Sequence, residues 1–276
     1  MVTALLVSLC LSAPDAGALL ARPVELRADR LEVASKEQRA TYSGHATAVR
    51  DGVTLTCDRL EVQLDAHREV KTITASGNVV VVDGDRRATG ETATWDNASG
   101  VLVVTGRPTA RQGTREVEGE KVTFTTGVDR VEIEKARTRV EATDGGTGGA
   151  VAIDADRLVL EQQRNVATWS GHVRVTRGAT VLTAPEITAH YDERGEITRV
   201  QAKGGVEATE RDRWARGQRA DYDVKKGVLV VTGNPEARQG KNRMKGSKVT
   251  FLPGTDFVEV ENATTVIEVS PKRGGP

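Results

Sequence analysis

The chain repeats itself. Gly100–Gly106 (GVLVVTG) returns letter for letter at Gly227–Gly233, 127 residues further on. The same offset carries Ala110–Gly113 (ARQG) to Ala237–Gly240 and Lys121–Phe124 (KVTF) to Lys248–Phe251. It carries Ala28–Leu31 (ADRL) to Ala155–Leu158 and Ser43–His45 (SGH) to Ser170–His172. A tandem duplication constrains the architecture before any single residue is interpreted, because such units bury their apolar faces only against one another.

A finer period lies inside each copy. Short alternating segments begin at Ala28, Cys57, Gly90 and Gly119, with spacings of 29, 33 and 29. The second copy has them at Ala155, Ala184, Gly217 and Gly246, with the same spacings. Between them recurs an element containing Gly44, Gly77, Gly106, Gly171, Gly204 or Gly233. Each unit holds two strand-like runs, so eight units predict about sixteen strands.

Period 2 assigns them as strands. Val122 and Phe124 alternate with Lys121 and Thr123, and Val131 and Ile133 with Glu132 and Glu134. Val, Thr and Ile enrichment favours extended backbone, and no apolar stripe of helical period follows residue 21. A glycine at one place per unit marks a bend or bulge. The expectation is an all-β, elongated, open sheet of long antiparallel strands, each folded over near its middle.

Net charge is zero, which argues against a sequence-independent nucleic-acid binder. Aromatics are only 3% and charged residues 28%, as suits a thin body with a narrow apolar interior. Residues 2–13 form an apolar run closed by Pro14, too short to span a bilayer. With Ala16-Gly17-Ala18 as a cleavage site, residues 1–21 read as an export signal, although a basic leading segment is missing. Cys10 leaves with the signal, and Leu9 before it argues against acylation. Cys57 is then alone, so no intramolecular disulfide is expected. The boundaries expected are repeat 1 over 22–143, a short turn over 144–150, repeat 2 over 151–269 and a disordered tail over 270–276.

The grammar ADRLEV, YSGHATAV, LTCDRLEV, ASGNVVV, then GVLVVTG-x-P, VEGEKVTF and VEIEKARTRVE, resembles the OstA/LptA family. The likeness is densest over Gly227–Phe251 and covers nearly all of 22–269, twice over. It implies a β-jelly roll ("β-taco") whose apolar groove shields the acyl chains of lipopolysaccharide or a related amphiphile. It further implies a periplasmic bridge, joined end to end with itself and with related jelly-roll domains of inner- and outer-membrane export proteins. The archetypal bridge protein has about one copy, whereas this chain has two.

Alternation nominates the groove lining. In repeat 1 it is Leu31, Val33, Tyr42, Leu60, Val62, Ile73, Val79, Val81, Trp95, Val101, Val103, Val122, Phe124, Val131 and Ile133. In repeat 2 it is Leu158, Leu160, Trp169, Val173, Ile187, Val206, Tyr222, Val228, Val230, Val249, Phe251, Val258 and Val260. The aromatics Tyr42/Trp169, Trp95/Tyr222 and Phe124/Phe251 fall at equivalent positions and are the foremost candidates. The alternative is that these residues fill a sealed core of a structural filament or scaffold.

His45 and His172 sit in equivalent SGH segments and read as turn residues, since no second ligand lies at metal-binding spacing. The basic runs Arg211–Arg216 and Lys241–Lys245 read as a solvated face, with lipid phosphates at the groove rim as the alternative. No nucleophile elbow, P-loop or dinucleotide motif occurs, and carboxylates are dispersed, so neither an enzyme nor a cofactor is expected.

Overall fold

The computed structural model describes residues 25–50, 52–113, 115–125, 130–140, 150–193, 196–211, 213–239, 242–251 and 258–266. The export signal, residues 144–149 of the joint and the tail lie outside them. Repeat 1 forms β1 (Glu25–Arg27), β2 (Arg30–Ala34), β3 (Arg39–Arg50), β4 (Val53–Leu64), β5 (Val70–Asp83), β6 (Arg86–Asp96), β7 (Val101–Thr105), β8 (Thr109–Gln112), β9 (Arg115–Glu118), β10 (Lys121–Thr125) and β11 (Arg130–Val140). Repeat 2 forms β12 (Val151–Glu161), β13 (Val166–Arg177), β14 (Thr180–Tyr191), β15 (Ile197–Glu210), β16 (Arg213–Asp223), β17 (Val228–Thr232), β18 (Glu236–Gln239), β19 (Asn242–Lys245), β20 (Lys248–Phe251), β21 (Val258–Glu261) and β22 (Thr264–Val266). Every pairing among them is antiparallel. No α-helix occurs among the described residues; two single 3-10 turns occupy the equivalent spans Ser35–Glu37 and Gln162–Arg164.

The twenty-two strands make sixteen rungs. β7 and β8, for instance, pair with the two halves of β6 and together form one rung. The same holds for β1 with β2, β9 with β10, β17 with β18, β19 with β20, and β21 with β22. Each rung pairs only with the one before it and the one after it. At about 4.8 Å per rung the stack is roughly 75 Å long.

Each rung breaks where the sequence period places a corner. Gly44 and His45 have φ of 77° and 48°, and Gly171 and His172 have 75° and 47°. Ladder register slips at these points, between Ser43 and Ala46 and between Ser170 and Val173. Only glycine fits there: a Cβ on Gly44 would collide with the Asp29 carboxylate, and one on Gly171 with that of Asp156. The alternating segments that open at Ala28, Cys57 and Ala155 are the facing corners of neighbouring rungs.

The bend folds each rung over on itself. Trp169 Nε1 donates to Thr138 Oγ1 at 3.3 Å. In the ladder, Thr138 is level with Ile153 of β12 and Trp169 with Leu158. Five residues of straight strand span about 17 Å, so the hydrogen bond requires the two halves of the rung to face each other. The body is therefore two facing arms joined along a line of corners.

The seam between the repeats is an ordinary rung contact. β11 and β12 pair from Arg130 opposite Glu161 to Val140 opposite Val151. One apolar cluster runs through it, from Val117 to Val249, and a smaller one occupies β3–β6 around Ala46, Leu60, Ala75 and Val79.

Candidate binding groove

Because strand side chains alternate and the ladder aligns them, inward residues form continuous rows along the stack. One row on the first arm runs Leu31, Tyr42, Leu60, Ala75, Ala93, Val104, Val122, Ile133, Leu158, Trp169, Ile187, Ala202, Ala220, Val231, Val249, Val260. Beside it runs Val33, Ala40, Val62, Ile73, Trp95, Leu102, Phe124, Val131, Leu160, Ala167, Ala189, Val200, Tyr222, Leu229, Phe251, Val258. Neither row contains a charged residue over all sixteen rungs. The second arm contributes a smaller-volume row that includes Leu55, Val81, Ala88, Ala110, Val117, Thr138, Ile153 and Val175.

The sequence-nominated lining divides four ways. Twenty residues lie in the two first-arm rows: Leu31, Val33, Tyr42, Leu60, Val62, Ile73, Trp95, Val122, Phe124, Val131 and Ile133 from repeat 1, and Leu158, Leu160, Trp169, Ile187, Tyr222, Val249, Phe251, Val258 and Val260 from repeat 2. Val79, Val173 and Val206 are buried at the corners, and Val81 lies on the second arm. Val101, Val103, Val228 and Val230 face the other way. Val103 stands between Thr94 and Thr123, and Val230 between Asp221 and Thr250. Their neighbours Leu102, Val104, Leu229 and Val231 point inward and pack against the core. An unbroken GVLVV run has no alternation, so its own sequence cannot choose a face. The choice is made by Trp95 and Phe124, which Leu102 must match.

The inner rows are not equally buried along the stack. Leu158 and Leu160 are 0% and 3% exposed at the seam, whereas their counterparts Leu31 and Val33 at the first rung are 53% and 65% exposed. Burial pushes the Tyr222 phenol's pKa up, and the positive charge of Arg177 partly opposes that shift. Burial likewise pushes the Cys57 thiol up, which makes it an unreactive core residue.

The corners carry polar ladders on the outside. His45 Nδ1 is 2.8 Å from Asp29 Oδ2, and His172 Nδ1 is 2.6 Å from Asp156 Oδ2. Asp156 also accepts from Lys135 Nζ at 2.8 Å; that bond and the one from His172 lower its pKa. The histidines are thus turn residues held by carboxylates, as their SGH context predicts. Of the basic runs, Arg216 stacks over Trp214 at 5.2 Å and pairs with Glu236 at 2.5 Å, which also lies 3.7 Å from Arg243. Arg216 and Trp214 belong to rows on the outward side of β16, in the neighbourhood of Glu207 and Thr209.

A stack of bent antiparallel rungs with an apolar inside defines a tandem β-jelly-roll protein. The family model described as "LptA/(LptD N-terminal domain) LPS transport protein" matches residues 25–129 and again 152–256. The chain belongs to this family, which is one of transport proteins and not of enzymes. It is 28% identical over 118 residues to lipopolysaccharide export system protein LptA of Escherichia coli (strain K12), covering 40% of this chain and 64% of that protein. It is 27% identical over 129 residues to lipopolysaccharide export system protein LptH of Pseudomonas aeruginosa, covering 44% of this chain and 74% of that one. The crystal structure of LptH, described as the LptA homologous periplasmic component of a lipopolysaccharide transport device, aligns with a TM-score of 0.36 at 18% identity. That alignment covers 49% of this chain and 90% of LptH.

Proposed function

We propose that this chain is a periplasmic bridge component that shields the acyl chains of lipopolysaccharide in its inner groove between the inner and outer membranes. The observation that carries this reading is the pair of uncharged rows running through all sixteen rungs, across the seam without interruption. Each buried CH₂ of a chain contributes about 0.8 kcal/mol, so retention needs no covalent bond. Near-equivalent rungs let cargo shift stepwise, with direction supplied by an energy source elsewhere.

The end rungs support end-to-end assembly with another copy or with related jelly-roll domains. If the last rung of one chain met the first rung of the next as β11 meets β12, Val258 would face Val33 and Val260 would face Leu31. The seam register sets these pairs, with Val131 opposite Leu160 and Ile133 opposite Leu158. Strand addition of this kind covers an otherwise exposed apolar edge.

A photo-crosslinking residue placed at Phe124, and separately at Thr123, tests the carrier function in cells making labelled lipopolysaccharide. The two positions lie on opposite faces of β10. A lipid adduct at 124 and none at 123 is expected. The fully buried centre, where Ile153, Leu158 and Ile187 are each 0% exposed, favours a second reading as a sealed structural filament. Protein–protein ladders without lipid at either position would establish that reading instead.

A further inference from the structure

The outer face of the second arm has diverged between the two repeats. On β16, β18 and β19 the inward row is Ala215, Ala237 and Met244. The side chains on either side of it point outward and form two rows. One is Trp214, Arg238, Arg243 and Val266; the other is Arg216, Glu236, Lys245 and Thr264. Arg216, Arg238, Arg243 and Lys245 are exposed, and so is Val266, at 59%. Glu236 is buried among them, 2.5 Å from Arg216 and 3.7 Å from Arg243. On the preceding rung, Glu207 stands opposite Arg216. Two carboxylates thus meet four cations, and Arg238 lies directly opposite Arg243, an unfavourable like-charge pair.

Repeat 1 neutralises the same surface from within. At the equivalents of Arg243 and Lys245 it has Glu116 and Glu118. Glu116 lies between Arg111 and Arg139, and Glu118 lies opposite Arg137. Trp214 and Arg216 stand where repeat 1 has Arg87 and Thr89. A basic row that its own sheet does not answer is complemented by an anionic partner. The residues at the two ends of the arginine row say which kind. Trp214 and Val266 are an indole and an aliphatic side chain on the outer surface of a sheet. Tryptophan collects at the membrane–water interface, and lysine and arginine gain there from the negative potential of anionic lipids. The patch occupies the last four of the sixteen rungs, at one end of the stack.

We propose that the outer face of β16, β18, β19 and β22 docks on an anionic phospholipid surface and seats the β22 end of the stack at a membrane, a placement that rests on the bridge function proposed above. Arg238, Arg243 and Lys245 meet the lipid phosphates, and Trp214 and Val266 enter between the headgroups.

The test sediments the full chain with vesicles of phosphatidylcholine, with and without phosphatidylglycerol. Binding is expected only where phosphatidylglycerol is present, and high salt should abolish it. Arg238→Gln with Lys245→Gln removes two cations and leaves Arg216 on Glu236. This pair should weaken binding by roughly twentyfold, about fivefold per charge. Arg87→Gln with Arg111→Gln, on the same outer face of repeat 1, should leave binding unchanged. Absence of binding to phosphatidylglycerol vesicles, or equal losses from the two pairs, would overturn the docking surface. Capture of polyglutamate in preference to vesicles would overturn it too and assign the patch to an acidic protein segment. A lipid adduct at position 124 without vesicle binding would sink the docking surface alone. Vesicle binding without that adduct would support the docking surface and count against the carrier function.

Discussion

Trp169 and Thr138 lie on opposite arms of the folded sheet and are joined by a hydrogen bond of 3.3 Å, each side chain fully buried. They belong to different repeats, since Thr138 is in β11 and Trp169 in β13. The contact therefore ties arm to arm and repeat to repeat at one point in the middle of the stack.

Thr138→Val keeps the shape and removes the acceptor. It should destabilise the chain by about 1–3 kcal/mol, because it strands a buried indole donor. Trp169→Phe combined with Thr138→Val should cost less than the two single changes added together, since the second change removes what the first left unpaired. Urea denaturation of the four proteins measures this, and strict additivity would show that the bond carries no coupling.

Leu158→Ala and Leu31→Ala make the same chemical change at equivalent positions with opposite surroundings. The first should cost about 2–5 kcal/mol of monomer stability. The second should cost under about 0.5 kcal/mol, because Leu31 is mostly exposed. If the first rung docks onto another chain, Leu31→Ala should also weaken self-association in sedimentation velocity. An unchanged association constant would count against that docking.

Gly171→Ala tests the corner. The site has φ of 75°, and a Cβ would meet the Asp156 carboxylate. A loss of about 1–3 kcal/mol is expected, read as a lower denaturation midpoint. Gly52→Ala, also at positive φ but with nothing near its Cβ, should lose less. Equal losses would mean that backbone strain alone, and not the stacked carboxylate, demands glycine at the corner.

His45 titrates above its ordinary value of 6.5, chiefly because it is hydrogen-bonded to the Asp29 carboxylate. A histidine with a raised folded pKa adds stability that is complete below the unfolded value and is lost as pH rises through the folded one. The ring is almost wholly exposed, so the contribution to stability is small. An NMR titration should find the His45 midpoint above 6.5, and Asp29→Asn should bring it back down. A wild-type midpoint at or below 6.5 would show that the pair does not form in solution.

Much of this was legible in the chain. The corners were readable because a bend that stacks on its neighbours must recur at fixed spacing, and Gly44, Gly77 and Gly171 do so. The inward face was readable wherever polar and apolar residues alternate, as from Lys121 to Phe124. It was not readable over Val101–Val104 and Val228–Val231, where every residue is apolar and neighbouring strands set the register. Nothing in the sequence marked Leu55, Ile153 or Val175 as facing Trp169's arm, because the fold at the corner, not the strand itself, brings the second arm across.

The sequence by itself determined the repeat, the rung count and the line of corners, since each is a one-dimensional period written in residue types. Only the tertiary structure decided where the stack is shut and where it is open. Equivalent residues such as Leu31 and Leu158 share nearly the same local sequence, and their burial differs because burial depends on the next rung in space. The same holds for the Trp169 indole: its acceptor, Thr138, is supplied from across the fold, which no local pattern encodes.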